Sequence, residues 1–218
     1  DRIHQWVMRQ FDEVWVPDYP PPHQLAPRLS TPARGIPAHY IGMLTDQQPF
    51  PGEQKKMYRA TAILSGPEPQ RTRLENVLLR QFSLLQGTFA LVRGTDCGPG
   101  LANFASITVI DIADRALIRS LSAKSDLIIA RSGYTTIMDL AATGQRALLV
   151  PTPGQPEQEY LAEELHRQGY CHAVRQEKLD LSVDLERARH TTGIIARAFA
   201  PGALLRKQLA DWYATISD

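Results

Sequence analysis

The sequence predicts an α/β chain, a Rossmann-like parallel sheet with helices on both faces, preceded by a short helix-strand remnant. Three observations carry this prediction. Short apolar runs such as Thr88-Phe-Ala-Leu-Val92, Leu127-Ile-Ile-Ala130 and Ala147-Leu-Leu-Val150 alternate with stretches of helical length. Runs of this length suit strands covered on both faces. The run ending at Ala130 and the run ending at Val150 each pass into polar, turn-forming residues and then a helix start, the grammar of a strand-turn-helix unit. With 218 residues, 43% of them hydrophobic, the chain can bury one good core plus appendages.

The elements follow in order. Ile3, Val7 and Phe11 share one helix face, and Glu13-Val-Trp-Val16 reads as a strand. Residues 1–16 are therefore expected to be the tail of a preceding domain, because the chain begins at Asp1 without an initiator methionine. Residues 17–37 are rich in proline, which disfavours sheet ladders and stiffens a chain, and are expected to be a linker. Residues 38–218 are expected to form the main domain with its C-terminal helices. Tyr58-Arg-Ala-Thr-Ala-Ile-Leu-Ser-Gly66 alternates and runs into a turn, with a helix next over residues 70–86. A strand at 88–92 leads to a loop at 93–100 whose glycines oppose a regular helix. Ile107-Thr-Val-Ile110 is the next strand, followed by a helix at 114–123. Gly169-Tyr-Cys-His-Ala-Val174 is the final strand. Two helices then follow, one ending near Ala200 and one opening at Pro201. The second carries Leu204, Leu205, Leu209, Trp212 and Ile216 as an apolar stripe, for which core packing is expected.

The segment from Asp126 to Gly144 holds the strongest functional signal. After the strand ending at Ala130, Gly133 permits a tight turn and close backbone approach. Ser132, Thr135 and Thr136 crowd the next helix start, where free N–H groups and the helix dipole favour an anion. Asp139 lies about one turn deeper, placed to accept hydrogen bonds from a sugar diol. A phosphate beside a ribose suggests a nucleotide. The same Ser132 and Gly133 also suit an ordinary capped turn. The next strand ends in Thr152-Pro-Gly-Gln-Pro156, and a helix opens with Pro at its first position and Glu157, Gln158 and Glu159 in its first turn. Gln158 and Glu159 read either as a solvated helix start or as readers of sugar hydroxyls.

Several functions are disfavoured. With 24 Lys and Arg against 23 Asp and Glu and no dense basic patch, the chain is not expected to bind nucleic acid. No apolar run reaches membrane-spanning length and no signal peptide is visible. Cys97 and Cys171 are too few and too scattered for a disulfide framework or a metal site, and a reducing compartment is the default. His39, His166, His172 and His190 lack metal-ligand spacing. Gly-x-Ser-x-Gly, Walker A and Gly-x-Gly-x-x-Gly sequences are absent, which speaks against a serine hydrolase, an ATPase and a nicotinamide enzyme.

Arg131-Ser-Gly-Tyr-Thr-Thr-Ile-Met-Asp-Leu-Ala-Ala-Thr-Gly144, Ala147-Leu-Leu-Val-Pro151 and Glu157-Gln-Glu-Tyr160 together resemble the C-terminal half of family 28 glycosyltransferases. That family has the two-Rossmann-domain architecture called GT-B and includes the peptidoglycan-precursor N-acetylglucosaminyltransferase. The resemblance implies an inverting transferase whose donor-binding half is this chain, with a UDP-sugar as substrate, no cofactor and no metal. It implies that Ser65, Gly66, Arg131, Ser132, Gly133, Tyr134, Thr135, Thr136, Asp139, Gln155, Gln158 and Glu159 form the nucleotide-sugar site. Ser132 and Gly133 match the diphosphate position, Asp139 a glutamate that holds the ribose, and Gln158 the first of two sugar-reading glutamines, the second of which is replaced by Glu159. Residues 111–117 correspond to the segment that packs on the base. The loop Ser65-Gly-Pro-Glu-Pro69 has fewer glycines than the family pattern, and two prolines there remove backbone donors. The chain also has neither the arginine that the family often places after its linker nor the histidine before its glutamine pair. The catalytic base and the acceptor site are expected in an N-terminal domain, in cis or as a partner chain. A lipid-linked or glycan acceptor and a cytoplasmic or membrane-peripheral location follow from the same resemblance. A nucleotide-sugar epimerase of this fold and a non-catalytic UDP-sugar-binding subunit remain as alternatives.

Overall fold

The protein is described from a computed structural model, covering residues 6–7, 10–32, 35–52, 54–96, 106–194 and 202–216. It divides into two compact units, Asp1–Asp46 with Ala196–Asp218, and Gln47–Ile195. Residues 38–46 and the last helix thus group with the N-terminal residues, whereas the sequence assigned them to the main domain.

In the smaller unit, β1 (Val14–Val16) pairs in parallel with β2 (Ala38–Tyr40). The proline-rich segment between them is compact. Its centre is the buried Asp18. One carboxylate oxygen accepts from the backbone N–H groups of Tyr19 and Leu25 at 2.7 and 2.9 Å. The other accepts from Ala26 N at 3.1 Å and Ser30 Oγ at 2.6 Å. A single acid supplies acceptors that a proline-interrupted chain cannot find in a ladder. The last helix belongs to this unit but does not supply the core stripe expected of it. Leu204 and Leu205 are half-buried, and Leu209 and Trp212 are 44% and 43% exposed. A two-stranded sheet offers too little apolar surface to cover such a stripe. Trp212 meets Trp15 edge-on, with ring centroids 6.4 Å apart. The helix expected over Ile3, Val7 and Phe11 lies largely outside the described residues.

The larger unit alternates strand and helix as the sequence predicts. Its elements are β3 (Ala60–Ile63), α1 (Gln70–Phe82), β4 (Phe89–Val92), β5 (Ile107–Ile110), α2 (Arg115–Ala123), β6 (Ile128–Ala130), α3 (Tyr134–Thr143), β7 (Ala147–Leu149), α4 (Pro156–Arg167), β8 (His172–Ala173) and α5 (Leu181–Arg189). The six strands are all parallel, in the order β5-β4-β3-β6-β7-β8. Apolar side chains from α1, α5 and the central strands form one core, in which Phe82 stacks on Phe89 with centroids 4.4 Å apart. Gly144, at φ 69°, ends α3 in the left-handed conformation that a Cβ would resist. Helix α1 stops at Phe82, short of the expected residue 86. Helix α5 ends at Arg189, and the helix end expected near Ala200 lies outside the described residues. No described helix is long and apolar enough to cross a membrane.

The strand order reverses between β3 and β6. Crevices for ligands form at such a reversal, outside the carboxyl ends of the strands. Ile63 pairs with Ala130, so the turns beginning at Leu64 and Arg131 leave the sheet side by side.

Candidate functional site

Helix N-termini in this unit are finished in two ways. The first turns of three helices meet a carboxylate: Glu68 accepts from Thr72 N at 3.2 Å, Asp114 from Leu117 N at 2.7 Å and Asp180 from Ser182 N at 3.0 Å. The N-cap residues of α3 and α4, like Pro69 before α1, make no side-chain cap hydrogen bond. They follow adjacent strands, and their starts border a cavity of about 380 Å³ lined by Gly133, Gly154, Gln155, Pro156, Glu157 and Gln158. The first turn of α3 also contains no acid. Its dipole therefore favours an anion.

Gly133 is the N-cap of α3 with φ −68°, a conformation any residue adopts. A Cβ there would meet only Thr136 Oγ1, at 3.9 Å. The turn that Gly133 permits does not require a glycine, and the space beside its backbone is open. Ser132 is buried and its hydroxyl donates to the carbonyl of Gln158 at 2.7 Å. That hydroxyl ties β6 to α4 and is not presented to an anion. Tyr134 and Thr136 are half-buried and Thr135 is exposed. Asp139 is 39% exposed and stands 3.7 Å from Arg115 Nη2, itself 60% exposed.

The polar pair on α4 turns back on its own loop. Gln158 Oε1 accepts from Thr152 N at 2.9 Å, and its amide donates to Gln155 Oε1 at 2.6 Å. Glu159 accepts from Gly154 N at 3.1 Å. Gln158 is half-buried and shapes the loop, whereas Glu159 is exposed, as a solvated helix start would be. Gly66, at φ 100°, lies over the same loop: a Cβ on it would stand 3.6 Å from Thr152 Oγ1. Ser65 and Gly66 thus join the group at the strand reversal.

Arg131 directly follows β6 and is 1% exposed. Its guanidinium donates to the carbonyls of Val150, Pro151 and Gln70 at 3.1, 3.0 and 2.8 Å, and to Gln176 Oε1 at 2.7 Å. All four acceptors are neutral. Burial alone lowers its pKa to about 10, so the side chain keeps its charge at neutral pH. A second buried arginine, Arg93, directly follows β4. Its Nε donates to Glu75 at 2.7 Å and its Nη1 to Asp111 at 2.8 Å. The hydrogen bond it donates to Asp111, then that to Glu75, hold its pKa above the ordinary value against the opposing effect of burial. Arg71 adds a further contact to Glu75 at 2.6 Å. Among the described residues no group of three or more His, Cys, Asp or Glu stands together as metal ligands.

Residues 98–190 match the glycosyltransferase family 28 C-terminal domain. That match takes in β5 to α5 and both helix starts described above. No curated protein matches the chain. Among solved structures, MurG of Acinetobacter baumannii is similar at a TM-score of 0.59 and 16% identity, over 94% of this chain and 61% of that one. The glycosyltransferase SnogD from Streptomyces nogalater is similar at 0.54 and 17%, over 88% and 55%. The spinosyn rhamnosyltransferase SpnG, solved with thymidine diphosphate, is similar at 0.51 and 16%, over 87% and 55%. Identities this low establish a common fold, that of GT-B glycosyltransferases. The chain spans less than two thirds of the length of each. Within the matched stretch, the sequence pointed to the α3 and α4 starts and to the segment 111–117 that holds Arg115, but not to the approach of Arg115 to Asp139 or to Thr152. Arg115 reaches Asp139 from another helix, a contact no local spacing announces. Thr152 stood in a loop already noted as polar, so a signal was available.

Proposed function

We propose that this chain is the donor-binding half of an inverting glycosyltransferase that takes a UDP-sugar. The observation that carries this is the start of α3: free of first-turn acids, opened by a glycine its turn does not require, and set at the strand reversal. Such a site favours a diphosphate. Asp139, deeper on the same helix, would accept the ribose hydroxyls once Arg115 moves aside. Glu157 and Glu159 disfavour a phosphate at the start of α4 and suit the hydroxyls of the sugar, with Gln155 and Gln158 beside them. The thymidine diphosphate bound to SpnG supports a nucleoside diphosphate in general, and the family resemblance supports uridine.

In this reading the acceptor oxygen attacks the anomeric carbon as the bond to the diphosphate breaks. The acceptor proton passes to a base on an N-terminal domain, in cis or as a partner chain. The α3 N-terminus stabilises the charge that develops on the departing UDP. No cofactor or metal is invoked. Isothermal titration with UDP, with thymidine diphosphate in parallel, tests the proposal. UDP is expected to bind, and Asp139→Ala to weaken it by about 1.5–3 kcal/mol, the worth of hydrogen bonds to a charged group. Folded protein that ignores millimolar UDP would sink the reading.

A further inference from the structure

Two buried side-chain polar atoms in the described part of the larger unit lack a hydrogen-bond partner: Arg131 Nε and Thr152 Oγ1. They belong to one cluster. Pro151, whose carbonyl accepts from Arg131, is the residue before Thr152. Thr152 is 2% exposed, its N–H is taken by Gln158 and its carbonyl by Gln155 N at 3.1 Å. The hydroxyl alone is idle. Burying a hydroxyl without a partner is unfavourable, and valine would fill the same space without that penalty.

The surroundings define what would complete it. The Arg131 guanidinium, which reaches the carbonyl of the residue before Thr152, meets only neutral acceptors. A buried cation without an anion and a buried donor without an acceptor are both satisfied by one group, an anionic oxygen. The cover over the hydroxyl is the exposed backbone of Gly66, which has no side chain to bar an approach. We propose that the Thr152 hydroxyl is a phosphate-contacting group of the donor site, with the Arg131 charge behind it as a positioning residue that also holds the carbonyls of residues 150 and 151. This rests on the nucleotide-sugar reading above and names a side chain that the sequence comparison passed over.

The test compares wild type, Thr152→Val and Thr152→Ser by titration with UDP, UMP and uridine, and by urea unfolding without ligand. Thr152→Val should weaken UDP about tenfold and leave uridine within about twofold. It should unfold at the same urea concentration as wild type or higher, because an idle hydroxyl has been removed. UMP reports whether the contact is to the nearer phosphate, losing as much as UDP, or to the farther one, losing less. Thr152→Ser keeps the hydroxyl and should keep the UDP affinity. The proposal is overturned if Thr152→Val binds UDP as tightly as wild type, if UDP and uridine weaken by the same factor, or if serine fails to rescue. Wild-type protein that binds no UDP would remove the nucleotide reading itself, whereas binding by wild type and valine variant alike removes only this inference.

Discussion

Two arginines occupy equivalent places in the larger unit, each the first residue beyond a parallel strand and each buried, yet their surroundings differ. Arg93, after β4, is neutralised from within the protein by Glu75 and Asp111. Arg131, after β6, has four neutral acceptors and one idle nitrogen. A protein that can place two carboxylates on one buried cation is not short of means to do so on another. The difference falls where the strand order would place a ligand: the closed pair lies at β4 and β5, and the open one at the reversal beside the uncapped α3. Under the proposed function, incomplete electrostatics at one edge, next to complete electrostatics at the other, would mark the edge that receives an anion.

The strongest way to break this comparison is at Glu75, which accepts from both Arg71 and Arg93 and is 3% exposed. Glu75→Ala leaves two buried cations without their shared anion. Urea unfolding should show a loss of about 3–5 kcal/mol, the range for removing one member of a buried ion pair. A loss under about 1 kcal/mol would mean that water already reaches these groups. A smaller effect is expected at Arg131. Arg131→Gln removes hydrogen bonds to carbonyls but also relieves a buried charge, so the net loss should be about 2 kcal/mol. The stabilisation conferred by saturating UDP should shrink in the same variant. If Arg131→Gln costs more than Glu75→Ala while the UDP effect is unchanged, Arg131 is a structural clamp and the contrast between the two edges fails.

Much of the frame was legible in the sequence because its signals are local. The run 127–130, the glycine-bearing turn and the polar helix start lie within one short stretch, as do 147–150 and Pro156 at its helix start. Even the functional emphasis on Gly133, Asp139, Gln155 and Gln158 came from neighbours in sequence. The side-chain commitments were not legible. Ser132 is spent on a carbonyl 26 positions away and Arg131 on Gln70, 61 positions away. Such pairings depend on strand order, which a periodic pattern does not encode. The proline-rich segment failed for another reason. Composition predicted stiffness, while residues 18–30 gather around one carboxylate, Asp18, that composition does not single out.

The smallest expected effect separates the two acids around Arg93. The Asp111 hydrogen bond ranks first among the influences raising the Arg93 pKa, with Glu75 behind it, whereas burial ranks them the other way. The Asp111 side chain is 58% exposed and that of Glu75 only 4%. Water and salt screen an exposed carboxylate, so its pairing should add little to stability. Asp111→Asn keeps an acceptor in place and is expected to lose about 0.5 kcal/mol in low salt, shrinking further at 1 M sodium chloride. A loss approaching that of Glu75→Ala, unchanged by salt, would show that the neutralising charge sits at the rim of the sheet rather than beneath it. The closed edge would then itself be within reach of a ligand, and the Arg131 edge would lose its claim to be the open one.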